Sequence, residues 1–237
     1  MKKFLLNFKM VFSDLIDFFF PLLCAGCDEH LVKGEDGICT ICLMNMPHTN
    51  FEHQAENPVM KQFWGKVPLE AAMAYCHFSK GGRIQQLIHH LKYEDRPDIG
   101  VRLGQLCGYR LLHSPKYANV DLIIPVPLHR HKQRLRGYNQ AASFGKGLSD
   151  VLKVPQWEEG LRRTKNTETQ TRKSRFARAK NVKDVFDVPA ADLLAHKSIL
   201  LVDDVITTGS TLAAAAEVLQ RIPGTRVQIV TIAFARA

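Results

Sequence analysis

The sequence predicts an α/β protein in which helices flank a parallel sheet, with a small four-cysteine region at the N-terminal end. Apolar, partly β-branched runs at 121–125 and 198–202 are typical of buried parallel strands. Each run leads through a polar loop into a helical stretch, which is the strand–loop–helix order of α/β folds. Two CxxC pairs near the N-terminus predict the additional region.

Composition and charge narrow the class of protein. A chain of 237 residues with 46% apolar residues allows one large domain, or one domain with an appendage. The net charge of +9 favours an anionic partner. Between His129 and Lys183 the chain has 15 Lys and Arg against four acids. The surplus of positive charge in this stretch is therefore larger than the net charge of the whole chain.

The first 20 residues predict an amphipathic helix that ends before Pro21, because their apolar residues recur at helical spacing. Met1-Lys-Lys followed by apolar residues imitates a signal peptide, but polar and charged residues interrupt the run. Two roles are open: the helix packs on the body of the protein, or it docks on a membrane surface or a partner. We expect no membrane-spanning segment.

The four cysteines predict a structural zinc site. Cys24 and Cys27 form one CxxC pair, and Cys39 and Cys42 form the second after eleven residues, which suits tetrahedral thiolate coordination of Zn²⁺. The alternative is a pair of disulfides, which a cytosolic chain disfavours. A site closed by four thiolates has no open position, so its role is structural.

Residues 45–68 contain three prolines and predict a connector, with Phe63 and Trp64 anchoring it to the body. Cys76 and Cys107 have no CxxC partner, and we expect them to be buried. The pattern also predicts a strand at 71–78 and helices at 81–93 and 97–113.

A cation-rich loop follows the strand at 121–125 and leads into a helix at 140–152. Ligands of open α/β sheets gather at the carboxyl ends of strands, so this loop is a candidate pyrophosphate site. Arg134 or Arg136 would bind a phosphate through two hydrogen bonds, and Gly137 would let the backbone approach closely. The alternative is a solvated basic loop.

A second such loop follows the strand at 198–202. Two carboxylates, Asp203 and Asp204, come directly after the strand and precede a helix at 212–221. The loop between the acid pair and the helix offers backbone amides, hydroxyl groups and a helix N-terminus. These groups favour the binding of a phosphate. Acids beside a phosphate need a neutral or cationic neighbour, such as ribose hydroxyls or Mg²⁺; the alternative is that Asp203 only caps the next element. The candidate phosphate-binding residues are Thr207, Thr208, Gly209, Ser210 and Thr211.

Residues 161–182 are rich in Lys, Arg and Thr and have no early apolar period. They predict a mobile loop that closes over a charged substrate. The alternative is a nucleic-acid contact surface. Further strands are expected at 186–188 and 226–235.

The stretch Leu200–Thr211 resembles the signature of the type I phosphoribosyltransferases. From about Leu23 to the C-terminus, the chain is similar to the ComF/GntX-like group of that fold. The four-cysteine knuckle matches its zinc region, and Pro125-Val-Pro127 with Arg136–Gln140 matches its second signature. The third signature is matched by Arg163-Thr164, Gln170, Arg175, Arg178, Asn181-Val182 and Phe186.

The resemblance implies a cytoplasmic bacterial protein linked to natural competence and DNA uptake. Asp203 and Asp204 would orient the ribose of phosphoribosyl pyrophosphate (PRPP), a Mg²⁺-bound ligand, for phosphoribosyl transfer. The rival is a non-catalytic nucleotide- or single-stranded-DNA-binding adaptor of competence proteins. We expect three regions: the helix at 1–20, the zinc-knuckle region and connector at 21–68, and a phosphoribosyltransferase-like domain at 69–237.

Overall fold

A parallel sheet of four strands forms the centre of the protein. The structure, a computed structural model, describes residues 21–164 and 185–235, so the helix predicted at 1–20 lies outside the described residues. The strands are β1 (Ala71–Phe78), β2 (Leu122–Pro125), β5 (Ser198–Ile206) and β6 (Arg226–Ala235), and a separate antiparallel pair consists of β3 (Arg162–Arg163) and β4 (Phe186–Asp187). The order β1-β6-β5-β2, parallel throughout, confirms the predicted fold class.

Seven α-helices are described. They are α1 (Thr40–Met44), α2 (Pro58–Lys61), α3 (Arg83–Tyr93), α4 (Pro97–Leu111), α5 (Arg130–Arg136), α6 (Gln140–Leu152) and α7 (Ser210–Gln220). Short 3₁₀ turns lie at Phe51–His53, Pro115–Tyr117, Glu158–Gly160 and Ala191–Leu194. The predicted helix at 140–152 has the observed bounds, and α4 ends two residues before the predicted end.

The central strands are covered on both faces. Residues 198–202 of β5 and 227–234 of β6 are buried without alternation, as expected for a parallel sheet with helices on both sides. Helix α6 packs on β2 and β5, and α7 packs on β5 and β6. The loops that follow β2 and β5 therefore lie beside each other at one edge of the sheet.

Helices α4 and α6 touch through their backbones. A Cβ on Gly104 would lie 2.1 Å from the carbonyl oxygen of Phe144, and one on Gly147 would lie 2.0 Å from that of Val101. Both distances are far shorter than van der Waals contact, so only glycine fits at these two positions. This contact fixes α6, whose N-terminus follows the basic loop.

The predicted connector contains ordered structure. Glu52 is 2% exposed, and its carboxylate pairs with Arg110 of α4 at 2.6 Å. Phe63 is buried as predicted, but the prediction for Trp64 is wrong, because this side chain is 54% exposed. The Trp64 ring lies instead 5.5 Å from the Lys61 ammonium, where the two side chains form a cation–π contact.

Cys76 and Cys107 are fully buried, as predicted, and burial raises the pKa of both thiols. None of the described helices combines the length and the apolar content that crossing a bilayer requires.

Candidate functional site

The acid pair lies where β5 extends beyond its neighbour β2. The last residues that pair between the two strands are Pro125 and Val202, whereas β5 and β6 stay paired as far as Ile206 and Phe234. Asp203 and Asp204 therefore lie within β5, and the expectation that the strand ends before them is wrong. The pairing with β6 supplies the hydrogen bonds that lengthen the strand.

The two carboxylates have different neighbours, since successive side chains of a strand point to opposite faces. The Asp204 Oδ2 atom lies 2.8 Å from Nζ of Lys92, and the side chains of this pair are 14% and 19% exposed. Asp203 makes no such ion pair within the described part of the chain. Its Oδ1 accepts a hydrogen bond of 2.8 Å from the amide of Asp204.

The environment of Asp203 disfavours its charge. Burial, followed by the charge of Asp204, raises the pKa of Asp203 to about 8, although Lys92 and Arg163 oppose the shift. This shift of the pKa favours the protonated form of the carboxyl group. A hydroxyl donor or a metal-bearing ligand placed against it would favour ionisation, so this oxygen fits the neighbourhood of a Mg²⁺-bound ligand.

The loop after β5, which we call the Thr loop (207–211), has the features of an anion site. Its hydroxyl residues are exposed, and none of the side chains that the structure describes caps the N-terminus of α7. Gly209 has φ +71°, a left-handed conformation that glycine adopts without steric cost. The uncapped amides of α7 and the helix dipole therefore favour an anion at the loop.

The loop after β2, which we call the basic loop (129–138), contains a short helix that the sequence analysis did not predict. Helix α5 begins after His129, whose Nδ1 accepts a hydrogen bond of 3.3 Å from the amide of His131. It ends at Gly137, which has φ +75°. Among the described residues nothing lies within 4 Å of a Cβ at Gly137, so within the protein the positive φ is what favours glycine there.

Arg136 is held against the C-terminal end of α3. Its Nη1 donates a hydrogen bond of 2.8 Å to Gln140, and its guanidinium lies 5.4 Å from the ring of Tyr93. The hydroxyl of Tyr138 also donates to the carbonyl of Leu91. The basic loop is thus docked on the same helix end that carries Lys92, while Arg134 is exposed on α5.

Lys92 is the site residue that the sequence analysis missed. It lies in the last turn of α3, about 110 residues before the acid that it contacts. Such a lysine has no distinguishing signal in the sequence, because basic residues are common at helix C-termini.

The structure describes only part of the mobile loop predicted at 161–182. Arg163 lies in β3, half-buried, with its guanidinium 5.7 Å from the ring of Phe186. Burial lowers the pKa of Arg163, and the nearby charge of Asp203 partly offsets this. Gln170, Arg175 and Arg178 lie outside the described residues.

The four cysteines form one cluster. The sulfur atoms of Cys24, Cys27, Cys39 and Cys42 all lie within 4.8 Å of one another, and those of Cys27 and Cys39 are 3.7 Å apart. A tetrahedral ion with Zn–S bonds of about 2.3 Å requires sulfurs about 3.8 Å apart, so the cluster fits zinc. All four are free thiols, in disagreement with the alternative of two disulfides.

Backbone amides support these sulfurs. Gly26 and Cys39 donate to the Cys24 sulfur at 3.3 and 3.2 Å, and the amide of Cys42 donates to Cys39 at 3.4 Å. Amide donors stabilise thiolates, which are the form that binds metal.

The fold is that of the type I phosphoribosyltransferases, and the phosphoribosyl transferase domain family matches residues 139–237. The DNA utilization protein YhgH of Salmonella typhimurium is 31% identical over 222 residues, covering 88% of this chain and 95% of that protein. Competence protein F of Haemophilus influenzae is 28% identical over 227 residues, covering 89% and 96%. The chain belongs to the ComF family, as the sequence resemblance predicts.

Solved structures with a similar fold include the glutamine PRPP amidotransferase of B. subtilis, complexed with ADP and GMP. The likeness covers 61% of this chain and 30% of that chain, with 18% sequence identity and a TM-score of 0.43.

Proposed function

We propose that the protein binds PRPP, or another phosphorylated ribose, between the Thr loop and the basic loop. The observation that carries the proposal is the N-terminus of α7, which no described side chain caps, beside an acid, Asp203, that makes no ion pair in the described part of the chain. The loop would hold the 5′-phosphate, and Asp203 with Asp204 would orient the ribose hydroxyls. Arg134, Arg136 and Gly137 would contact the pyrophosphate.

We further propose that the bound ribose undergoes phosphoribosyl transfer. The bond from C1 to the pyrophosphate oxygen breaks, its electron pair leaves with pyrophosphate, and an acceptor lone pair forms the new bond at C1. The carboxylates would stabilise the positive charge that develops on the sugar. Mg²⁺ carried by the ligand would supply neutralisation of the pyrophosphate charge.

Lys92 has a place in this proposal as the resident counter-ion. Its ammonium neutralises Asp204 at 2.8 Å, and its helix end is the one on which the basic loop docks. We propose that the ammonium is a further cation for a pyrophosphate at the basic loop, because the neighbours of Lys92 in sequence, Leu91 and Tyr93, contact that loop. The mobile loop predicted at 161–182, whose residues Gln170, Arg175 and Arg178 lie outside the described residues, would close over the ligand.

Calorimetric titration with PRPP and Mg²⁺ tests the proposal. We expect binding by the wild type and at least tenfold weaker binding by the Asp203→Asn/Asp204→Asn variant, since about 1.4 kcal/mol corresponds to a factor of ten. Asp192→Asn, which removes an exposed acid on a 3₁₀ turn, is the matched control. Equal heats for wild type and double variant would refute the proposal.

A second candidate function is a single-stranded-DNA-binding adaptor for competence proteins. Helix α5 favours it, because His131, Lys132 and Arg134 are exposed on a short basic helix, and relatives are named for DNA utilization and competence. Phosphate contacts of this kind weaken steeply as salt rises. Fluorescence anisotropy with labelled oligonucleotides should show that slope, and Lys132→Gln/Arg134→Gln should reduce it; binding without salt dependence excludes this candidate.

We also propose that the cysteine cluster holds structural Zn²⁺ and that the zinc region and connector span 21–68, ahead of a transferase-like domain at 69–237. A four-thiolate site persists in a reducing compartment, which favours the cytoplasm. Metal analysis of the purified protein should find one zinc per chain, and Cys27→Ser/Cys42→Ser should lose it.

A further inference from the structure

The Thr loop is supported from behind by a segment that lies about 140 residues earlier in the chain. Lys66 Nζ donates a hydrogen bond of 3.2 Å to the carbonyl oxygen of Thr208. A Cβ on Gly209 would lie 3.3 Å from both the Gln62 side chain and the Phe63 ring. We call residues 57–67 the buttress segment.

The buttress segment is fixed to the sheet. Asn57 is 2% exposed, and its Oδ1 caps α2 by accepting from the amides of Val59 and Met60 at 2.9 Å each. Its Nδ2 donates to the carbonyl of Ala72 in β1 at 2.8 Å. Phe63 and Val59 are buried, so the segment is a part of the core rather than a loose linker.

The contact of Lys66 determines how one peptide group of the Thr loop is oriented. In a planar trans peptide, the carbonyl and the N–H point in opposite directions. Because Lys66 holds the Thr208 carbonyl on one side, the amide of Gly209 must point to the other side, away from the buttress segment. The same contact places the positive charge of Lys66 beside the Thr loop, whose residues 207–211 include no Lys or Arg.

We infer that Lys66 is a positioning residue of the phosphate site and that the buttress segment belongs to that site. This inference rests on the proposed function, in which the Thr loop takes the 5′-phosphate. Lys66 acts on the phosphate end of the ligand alone, since the hydrogen bond of its ammonium within the described residues goes to the Thr loop. The connector therefore has a role in binding as well as in joining the zinc region to the sheet.

Calorimetric titration of the full chain with ribose 5-phosphate tests the inference. We expect Lys66→Met to weaken binding about fivefold, the effect of losing one modest hydrogen bond with its charge. Lys66→Arg should restore most of the affinity, because a guanidinium also donates to the carbonyl. Lys61→Met, at an exposed lysine of the same segment, is the control and should change binding less than twofold.

A second readout follows the loop itself. In an amide NMR spectrum of the ligand-free protein, the Gly209 resonance should shift in Lys66→Met and return towards its position in Lys66→Arg. Pyrophosphate affinity should not differ between the wild type and any of these variants, because pyrophosphate is assigned to the basic loop.

The outcomes separate this inference from the function on which it rests. Normal ribose 5-phosphate affinity in Lys66→Met overturns the positioning role and leaves the proposed function intact. Equal losses in Lys66→Met and Lys61→Met also overturn it, since they indicate only long-range charge. A wild type that binds neither ribose 5-phosphate nor PRPP overturns both.

Discussion

The Thr loop and the basic loop lie at the same edge of the sheet, but they are built differently. The Thr loop is uncharged and offers backbone amides, hydroxyls and a helix N-terminus directly after the central strand β5. The basic loop follows the edge strand β2, and Arg136 is positioned by side chains of other elements. The comparison indicates that the anion-binding groups of a backbone site lie in one stretch of sequence, whereas the charged groups of a side-chain site are oriented by residues of other elements. The two sites are alike in that each is supported by a distant lysine, Lys66 for the Thr loop and Lys92 beside the basic loop.

The largest effect is expected from a substitution in the Thr loop that leaves the basic loop unchanged. Gly209→Ala places a Cβ at φ +71° within 3.3 Å of Gln62 and Phe63. We expect ribose 5-phosphate affinity to fall by about two orders of magnitude if the loop amides shift, since one such donor contributes roughly 2–3 kcal/mol to binding an anion. Calorimetry with ribose 5-phosphate and, separately, with pyrophosphate checks this.

Gly81→Ala is the matched control for that substitution. Gly81 has φ +75°, but nothing lies within 4 Å of a Cβ there. Both variants should therefore lose about 1 kcal/mol of stability, because alanine is strained in the left-handed backbone conformation. Only Gly209→Ala should lose affinity for ribose 5-phosphate. Pyrophosphate binding that falls as far as ribose 5-phosphate binding in Gly209→Ala would remove the distinction between the loops.

The next effect concerns the counter-ion of the acid pair. Lys92→Met leaves Asp204 partly buried without its cation, so we expect a loss of about 1–3 kcal/mol of stability and about tenfold weaker pyrophosphate binding. Lys146→Met removes an ion pair of nearly the same length, 2.9 Å to Asp150, whose side chains are 64% and 39% exposed. In chemical denaturation, Lys146→Met should lower the free energy of unfolding by less than about 1 kcal/mol. Equal losses of stability in the two variants would contradict the role assigned to Lys92.

A smaller effect is expected from pH. The pKa of Asp203 is raised from its ordinary 3.8 to about 8, so the folded state holds a proton that the unfolded chain has lost. The stability contributed by this group is therefore greatest at low pH and falls as pH rises from about 4 to about 8. Affinity for a Mg²⁺-bound ligand should rise up to tenfold between pH 7 and pH 9, as the carboxylate forms.

Asp203→Asn should flatten both pH profiles, and Asp192→Asn should leave them unchanged. Unfolding in urea at a series of pH values and calorimetry at the same pH values supply the two measurements. A wild-type affinity that stays level from pH 7 to pH 9 would contradict the requirement for an ionised Asp203.

The smallest effect tests how far the basic loop depends on the cysteine cluster. Asp28, beside Cys27, lies 3.9 Å from His90 of α3, and a Cβ on Gly37 would lie 2.8 Å from Ile99 of α4. The same end of α3 supports the basic loop. Removing the metal with a chelator should therefore weaken pyrophosphate binding a few-fold, by about 0.5–1 kcal/mol, and leave ribose 5-phosphate binding unchanged; the reverse order would show that the Thr loop depends on the cluster.

The sequence predicted the elements that depend on local patterns. The strands at 71–78 and 226–235, the helix at 140–152 and the grouping of the four cysteines follow from hydrophobic period and spacing. The length of β5 was underestimated, because its continuation through Asp204 depends on pairing with β6.

The residues that hold the two loops of the site in place could not be predicted in the same way. Lys66 and Lys92 act through contacts with residues more than 100 positions away, and neither differs in sequence context from an ordinary surface lysine. Helix α5 was missed because seven mostly charged residues have no apolar period, and its caps, His129 and Gly137, decide its bounds.

The backbone contact between α4 and α6 has a consequence for movement at the site. Because the helices are in direct backbone contact at Gly104 and Gly147, we expect α6 to keep its position against α4 when a ligand binds. We therefore expect any rearrangement of the preceding segment to fall on the torsion angles of Gly137, because the side chains of Tyr138 and Asn139 are held by hydrogen bonds to the carbonyls of Leu91 and Val126. Gly137, with its positive φ and open surroundings, is the residue at which such a pivot meets the lowest barrier.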